Sequence, residues 1–378
     1  MWRHKMKLKK LIILLLANIF LFQLSAFDLD DIDFSIAPKT QFTKEKTNNN
    51  LKKGGLVEPE GTSIRNKKDV AKPDIKLLRG FERSPKTDAF GDTLPDSFLF
   101  YRQTLTENEK SAYDETYKAL MNAEPQLNLI TRITYDEYRK AEDAVYYDNP
   151  ELFWWAGISS LWYNSSDGIV TDVEFEYLFS PEELKEANKL FFNRSLPVIF
   201  YANLLDNDMD KIKYVHDYIC LSAEYDYPAY EADNCGGKLQ TAYSTIVEYK
   251  TVCAGYARAF AYYMQQLRIP CVVVHGSGHA WNFIEIDGDY YQMDVTWNDG
   301  YQNPPYFNLP HSEMQKISSH TLASDSVLIV NSHPTKSESM TYKNYFGDIP
   351  EGAPYTYKEF NNLENDIFNP AFAELILQ

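Results

Sequence analysis

The sequence is short of three things, and each shortage rules something out. Its 378 residues hold four cysteines, too few for the chain to be a disulfide scaffold. Cations are scarce: 37 Lys and Arg face 54 Asp and Glu, for a formal net charge of −17. Such a surface repels phosphate, so nucleic acid is a poor partner. Long apolar runs are scarce too, with a single one near the N-terminus, so the rest reads as soluble chain. No cysteine follows that run, which argues against a lipid-modified N-terminus. No EF-hand-like loop is present to suggest calcium, and no cofactor is implied.

What is present begins with export. Arg3, Lys5, Lys7, Lys9 and Lys10 precede LIILLLANIFLFQL, and Leu24-Ser25-Ala26 offers a small residue for cleavage. Residues 1–26 therefore read as a secretory signal, with an uncleaved anchor as the alternative. The expected location is outside the cytoplasm, in the periplasm or cell envelope or secreted. Residues 27–95 carry NNN, GG and scattered Pro with almost no periodic apolar pattern, and read as a disordered linker. From Pro38 to Phe90 there are 13 Lys and Arg against 7 Asp and Glu. A basic arm on an acidic body can touch an anionic surface such as the cell envelope, although solvated linker is the plainer reading.

Order is expected from about Asp96. Thr106-Glu107-Asn108-Glu109, Thr134-Tyr135-Asp136-Glu137 and Ser180-Pro181-Glu182-Glu183 have capping-box spacing, and each opens a predicted helix. Between the last two, the aromatic and alternating stretches around NSSDG predict a β-hairpin. Residues 96–205 thus read as a mixed helix and strand region, a helper domain without a catalytic constellation. Residues 206–320 form the expected core and 321–378 a C-terminal extension. In the core, Ile212, Val215 and Ile219 lie at helical spacing, CAGYARAFAYYMQQL predicts a second helix, and CVVVHG, AWNFIEID and DYYQMDVTW read as antiparallel strands. The order is α+β.

Two stretches carry chemistry: TVCAGYARAF and GSGHAWN. A sulfur at Cys253 would sit at a helix N-terminus, where unpaired N–H groups and the macrodipole favour the thiolate, the nucleophilic form. Gly255 would leave room for a substrate beside the backbone. The bland alternative is a small buried cysteine capping a helix. His279, at the turn after GSG, is the candidate base. Asp294 closes the neighbouring strand, and a hairpin centred on residues 286–287 sets it opposite His279. A carboxylate there would fix the imidazole tautomer and stabilise its charged form. Nucleophile, base and orienter come from one helix and two strands.

VCAGYARAFAYYM followed by HAWNFIEIDGDYYQMDVTWND resembles the core of the transglutaminase-like superfamily. The resemblance spans roughly Asp206 to His320, from the helix DKIKYVHDYI to the tail PPYFNLPHSEMQKISSH, and DNPELFWW is similar to part of exported bacterial members. It implies a papain-like core in which a Cys-bearing helix packs on an antiparallel sheet. It also implies Cys253 as nucleophile, His279 as base, Asp294 as third member, and an acyl-thioester intermediate. For the oxyanion, the backbone N–H of Cys253 and the Tyr243 hydroxyl are candidates.

Other readings compete. His275 and His279 have the H-x3-H spacing of a metal pair, but two glycines lie between them and the flanks are strand, so they do not share a helix face and no metal is expected. Trp281 and Trp297 could line a substrate groove or simply pack the helix on the sheet. Asp299 reads as a turn cap. Cys220 and Cys271 read as packing residues, and Cys235, in a polar glycine loop, as the most exposed thiol and the one open to oxidation. The sequence points to an exported thiol enzyme acting on a peptide or protein substrate, by hydrolysis rather than cross-linking. The alternative is a catalytically silent module of the same fold that binds a peptide or cell-wall fragment.

Overall fold

In a computed structural model of the chain, which describes residues 63–64 and 86–347 apart from 90, 165–166, 302 and 334–339, the three capping boxes form. They open α1 (Glu107–Met121), α2 (Tyr135–Asp148) and α3 (Pro181–Asn203). Glu109 and Glu183 accept from the backbone N–H of Thr106 and Ser180 at 2.7 and 2.8 Å, and Glu137 from that of Thr134 at 2.9 Å. Each such bond satisfies a donor that the helix itself cannot. β1 (Gln126–Asn128), β2 (Trp155–Tyr163) and β3 (Val170–Tyr177) complete this part of the chain. β2 and β3 are the antiparallel hairpin that NSSDG marks, and β1 pairs with the other edge of β3. Residues 1–26 and most of the expected linker lie outside the described residues. Within the linker range, Ser63–Ile64 runs parallel to β2.

The linker boundary at residue 95 needs correction. Lys86 is buried, its ammonium donating to Asp148 O at 2.6 Å and Asn149 Oδ1 at 3.0 Å. Buried Asp88 accepts from Arg268 at 2.8 Å. Buried charges need such partners, and here the partners belong to the folded body, so these residues are part of it.

The second half brings α4 (Asp208–Ser222), α5 (Cys253–Gln266) and a three-stranded antiparallel sheet. Its strands β4 (Cys271–Gly276), β5 (His279–Ile286) and β6 (Asp289–Met293) lie in sequence order. β5, in the centre, packs on α5 and is pinned there by Asn282 Nδ2, which donates to Ala257 O at 2.8 Å. Every residue of α5 is buried. A helix covered by a sheet on one side alone would keep a polar face in water. The other sides are covered by α4, the 237–251 segment and the 295–298 turn together with part of residues 96–205, so that region packs into the body of the core. Arg258 donates to Tyr146 O at 2.8 Å and Asn149 O at 3.2 Å, and Gln265 to Asp148 O at 3.2 Å. One hydrophobic core runs from Phe100 to Tyr342.

The chain beyond the core also joins that body. α6 (Ser324–Ser332) sets Ser326 Oγ 2.8 Å from Tyr101 OH, and Tyr342 OH donates to Asp217 at 3.2 Å. Among the described residues no helix is long and apolar enough to cross a membrane.

Gly255 turns out to leave no space for a substrate. A Cβ there would lie 1.9 Å from Thr251 Oγ1, 2.8 Å from Leu239 O and 2.9 Å from Ser244 Oγ. The side-chain-free position seats the 239–251 loop against the first turn of α5. Gly255→Ala should therefore destabilise the fold by about 1–3 kcal/mol, the usual scale for overpacking, measured by urea unfolding. A variant as stable as wild type would mean that the loop withdraws freely.

Candidate active site

Cys253 is the first residue of α5, after Val252 in extended conformation. The sulfur end of the helix is thus the end where main-chain N–H groups lack intrahelical acceptors. The cysteine is hydrogen-bonded to His279, the first residue of β5. His279 Nε2 donates to Asp294 Oδ2 at 2.6 Å. With Nε2 committed to the carboxylate, Nδ1 is the ring nitrogen left for Cys253. All three residues are buried, at 1%, 7% and 0% exposure, so the bonds between them act in a poorly screened interior.

The hairpin register differs from the expected one. Ile286 pairs with Asp289 and Asn282 with Met293, so continuation of the ladder sets Asp294 opposite Trp281 rather than His279. The shift is two residues, and side chains two apart share a strand face. His279 therefore still reaches Asp294 diagonally, while Trp281 stacks against its ring at 5.7 Å and 20°. Asp294 also caps the short helix Val295–Asn298, its Oδ1 accepting from Trp297 N at 2.9 Å.

Burial works against a charged imidazole, yet the Asp294 carboxylate, and after it Cys253, outweigh that and lift His279 to about 10. Burial likewise favours neutral Asp294, but His279 and then His320 hold it well below the usual carboxylate range. The two shifts have one origin, an imidazolium–carboxylate pair sealed from water.

His320 was not legible as a site residue. It lies on the turn Ser318–His320 and donates from Nε2 to the same Asp294 Oδ2 at 2.8 Å. The donor atoms of His279, Asp294 and His320 fall within 4.8 Å of one another, a spacing that a metal ion could bridge. The hydrogen bonds of 2.6 and 2.8 Å account for the arrangement without one. Tyr225 and Tyr230 are further neighbours. After burial, the charge of Cys253 is among the influences that push both phenols up. The only sequence signal for them is the tyrosine density of AEYDYPAY.

The remaining candidates fall in different places. Trp297 stays half-buried beside His279, ring to ring at 5.6 Å, a position from which it can border a groove. Trp281 is 1% exposed and donates Nε1–H to Gln292 Oε1 at 2.7 Å, as a core residue does. Tyr243 packs its ring in an aromatic cluster with Phe153, Phe179 and Phe191. His275 stacks on Tyr147 at 4.5 Å and bonds Asp325 at 2.9 Å. Asp299 accepts from Tyr256 OH at 2.8 Å and stands at the C-cap of the helix Val295–Asn298, its N–H donating to Val295 O and Thr296 O, as a turn cap does. Cys235, expected to be exposed, is buried, as are the other three cysteines. The 224–251 segment folds over the start of α5, Glu224–Tyr225 pairing with Lys250–Thr251, and takes Cys235 inward with it.

The His279 value gives a signed expectation. Its folded value of about 10 exceeds the roughly 6.5 of an unfolded histidine. The ring's contribution to stability is then fully present below about pH 6.5 and is lost as pH rises through about 10. Urea unfolding of wild type and His279→Gln should show a constant difference at lower pH that declines across that window. A difference that stays flat to the alkaline end would contradict a charged His279.

No curated protein matches the chain. A crystal structure described as a TGase is 17% identical with a TM-score of 0.28, covering 39% of this chain and 46% of that one. A candidate cysteine protease from Cytophaga hutchinsonii is also 17% identical, with a TM-score of 0.22, 34% of this chain covered and 51% of that one. The chain thus spans about half the length of the solved structures it matches. Residues 201–299, which include Cys253, His279 and Asp294, match the model of the transglutaminase-like superfamily.

Proposed function

We propose that the chain is an exported thiol enzyme that acts on peptide or protein amides through an acyl-enzyme at Cys253, by hydrolysis rather than cross-linking. The observation that carries this reading is the buried hydrogen-bond chain from Cys253 through His279 to Asp294, anchored at the start of a helix. Export rests on the order of charges, apolar run and small residue in 1–26.

In the proposed reaction, Sγ of Cys253 attacks the carbonyl carbon, and charge developing on its oxygen meets main-chain N–H groups at the helix start. His279 gives its Nδ1 proton to the departing amine, leaving a thioester. It then takes a proton from water, the water oxygen adds to the acyl carbon, and the C–S bond breaks to release a carboxylic acid. Asp294 keeps the ring in one tautomer and one orientation throughout. Water needs no second binding site, which makes hydrolysis the simpler resolution. An envelope or extracellular protein is the matching substrate class.

The test is the rate of alkylation of Cys253 by iodoacetamide across pH. An ordinary thiol with a pKa of about 8.5 is only roughly 0.3% thiolate at pH 6. Wild-type Cys253 should label about a hundredfold faster than that predicts, and His279→Ala should remove the advantage. Against a fluorogenic peptide library, Cys253→Ala should lower turnover by about four orders of magnitude. Labelling of Cys253 no faster than an ordinary thiol, in wild type and His279→Ala alike, would favour the silent binding module.

A further inference from the structure

His320 lies outside the segment that matches the family, yet its ring is buried at 1% exposure inside the candidate site. It meets three aromatic neighbours there nearly edge-on: Trp297 at 4.8 Å and 82°, Trp281 at 4.8 Å and 68°, and His279 at 5.3 Å and 85°. Tyr306 stacks on its remaining face at 5.9 Å and 16°. These contacts fix the ring plane, and the plane aims Nε2 at Asp294 Oδ2, 2.8 Å away. A carboxylate oxygen only accepts, so Nε2 carries the proton. Nδ1 faces Ser319 Oγ at 3.5 Å.

Asp294 then receives three N–H donors, Trp297 N on Oδ1 and both imidazoles on Oδ2. With His320 removed, Oδ2 would keep only His279 as donor and Oδ1 only Trp297 N, so one of the three bonds that fix the carboxylate's orientation would be gone. His279 takes its orientation from that carboxylate, and Cys253 takes its proton partner from His279. We infer that His320 is a positioning residue of the proposed reaction: its Nε2–H locks the Asp294 carboxylate in the orientation that turns His279 toward Cys253. The inference rests on the thiol-enzyme reading. The ionisable groups facing this pair are Cys253 on α5, His320 on its turn and Tyr306 on the loop between them.

The experiment uses the full chain and compares wild type with His320→Phe and His320→Gln, each checked for folding by thermal unfolding. Phe keeps a ring of similar size and loses the donor; Gln carries an amide N–H that reaches about as far as Nε2. The readout is the pH profile of Cys253 alkylation, which a merely space-filling ring would not move. His320→Phe should raise the midpoint by about one pH unit, the scale set by one charge-assisted hydrogen bond, and His320→Gln should return it to the wild-type value. A wild-type profile in His320→Phe, or equal shifts in both folded variants, overturns the inference. In the wild-type chain, imidazole 15N shifts should show a proton on Nε2 of His320, and a bare Nε2 overturns it whether or not the variants fold. A wild-type Cys253 that labels no faster than an ordinary thiol would instead sink the thiol-enzyme reading, a result distinct from these.

Discussion

The site is organised around one buried carboxylate. Asp294 is completely enclosed, and an ionised carboxylate in that position costs several kcal/mol unless it is paired and hydrogen-bonded. Three elements each supply one N–H: β5 through His279, the helical turn after Asp294 through Trp297, and the distant turn Ser318–His320. Meeting that demand constrains much else. The β5–β6 hairpin must hold His279 and Asp294 on one face, the chain must turn helical directly after Asp294, and the loop from 300 onward must come back to deliver His320.

A second demand comes from α5. To present Cys253 at the end of a helix buried on every side, the sequence uses Ala254, Gly255, Ala257, Ala259 and Ala261, which let neighbours approach closely. It also buries one charge, Arg258, at 2% exposure. That guanidinium donates to carbonyls at the C-terminal end of α2, those of Tyr146 and Asn149, and lies 4.3 Å over the Tyr146 ring. Carbonyls at a helix C-terminus lack intrahelical partners and lie at the negative end of the macrodipole. The region before the core therefore helps to hold the Cys-bearing helix, because α2 meets the charge that α5 carries inward.

What the sequence made legible follows from how locally each feature is encoded. A capping box spans four residues, and all three formed. The order of helix and three strands is carried by periodicity within each segment, and it held. The hairpin register was expected two residues from where it lies, because the turn residues Asp287-Gly288 permit more than one pairing. Side-chain alternation still preserved the face, so His279 and Asp294 meet even though they are not direct partners. Gly255 looked like space for a ligand because a sequence cannot name the atoms of a loop that folds over it. Cys235 looked exposed because CGG reads as polar loop, and nothing local records that residues 224–251 wrap the start of α5. The ring partners of Tyr243, which are Phe153, Phe179 and Phe191, lie in other elements, so its aromatic cluster has no local signal either.

His320 shows where local reading ends. Its own neighbours, ISSH, carry no helical or strand period and no spacing to Cys253, His279 or Asp294 that a pattern could catch. Its place is set by the cage of Trp281, Trp297, Tyr306 and His279, residues drawn from three parts of the chain. The matched segment ends at residue 299, so a chain folded only that far would have Cys253, His279 and Asp294 but would leave Asp294 Oδ2 short of one donor. In water that missing bond would cost little, because solvent would replace it. At a fully enclosed oxygen no solvent is at hand to replace it. The geometry of the site is thus complete only once the chain has folded through residue 320.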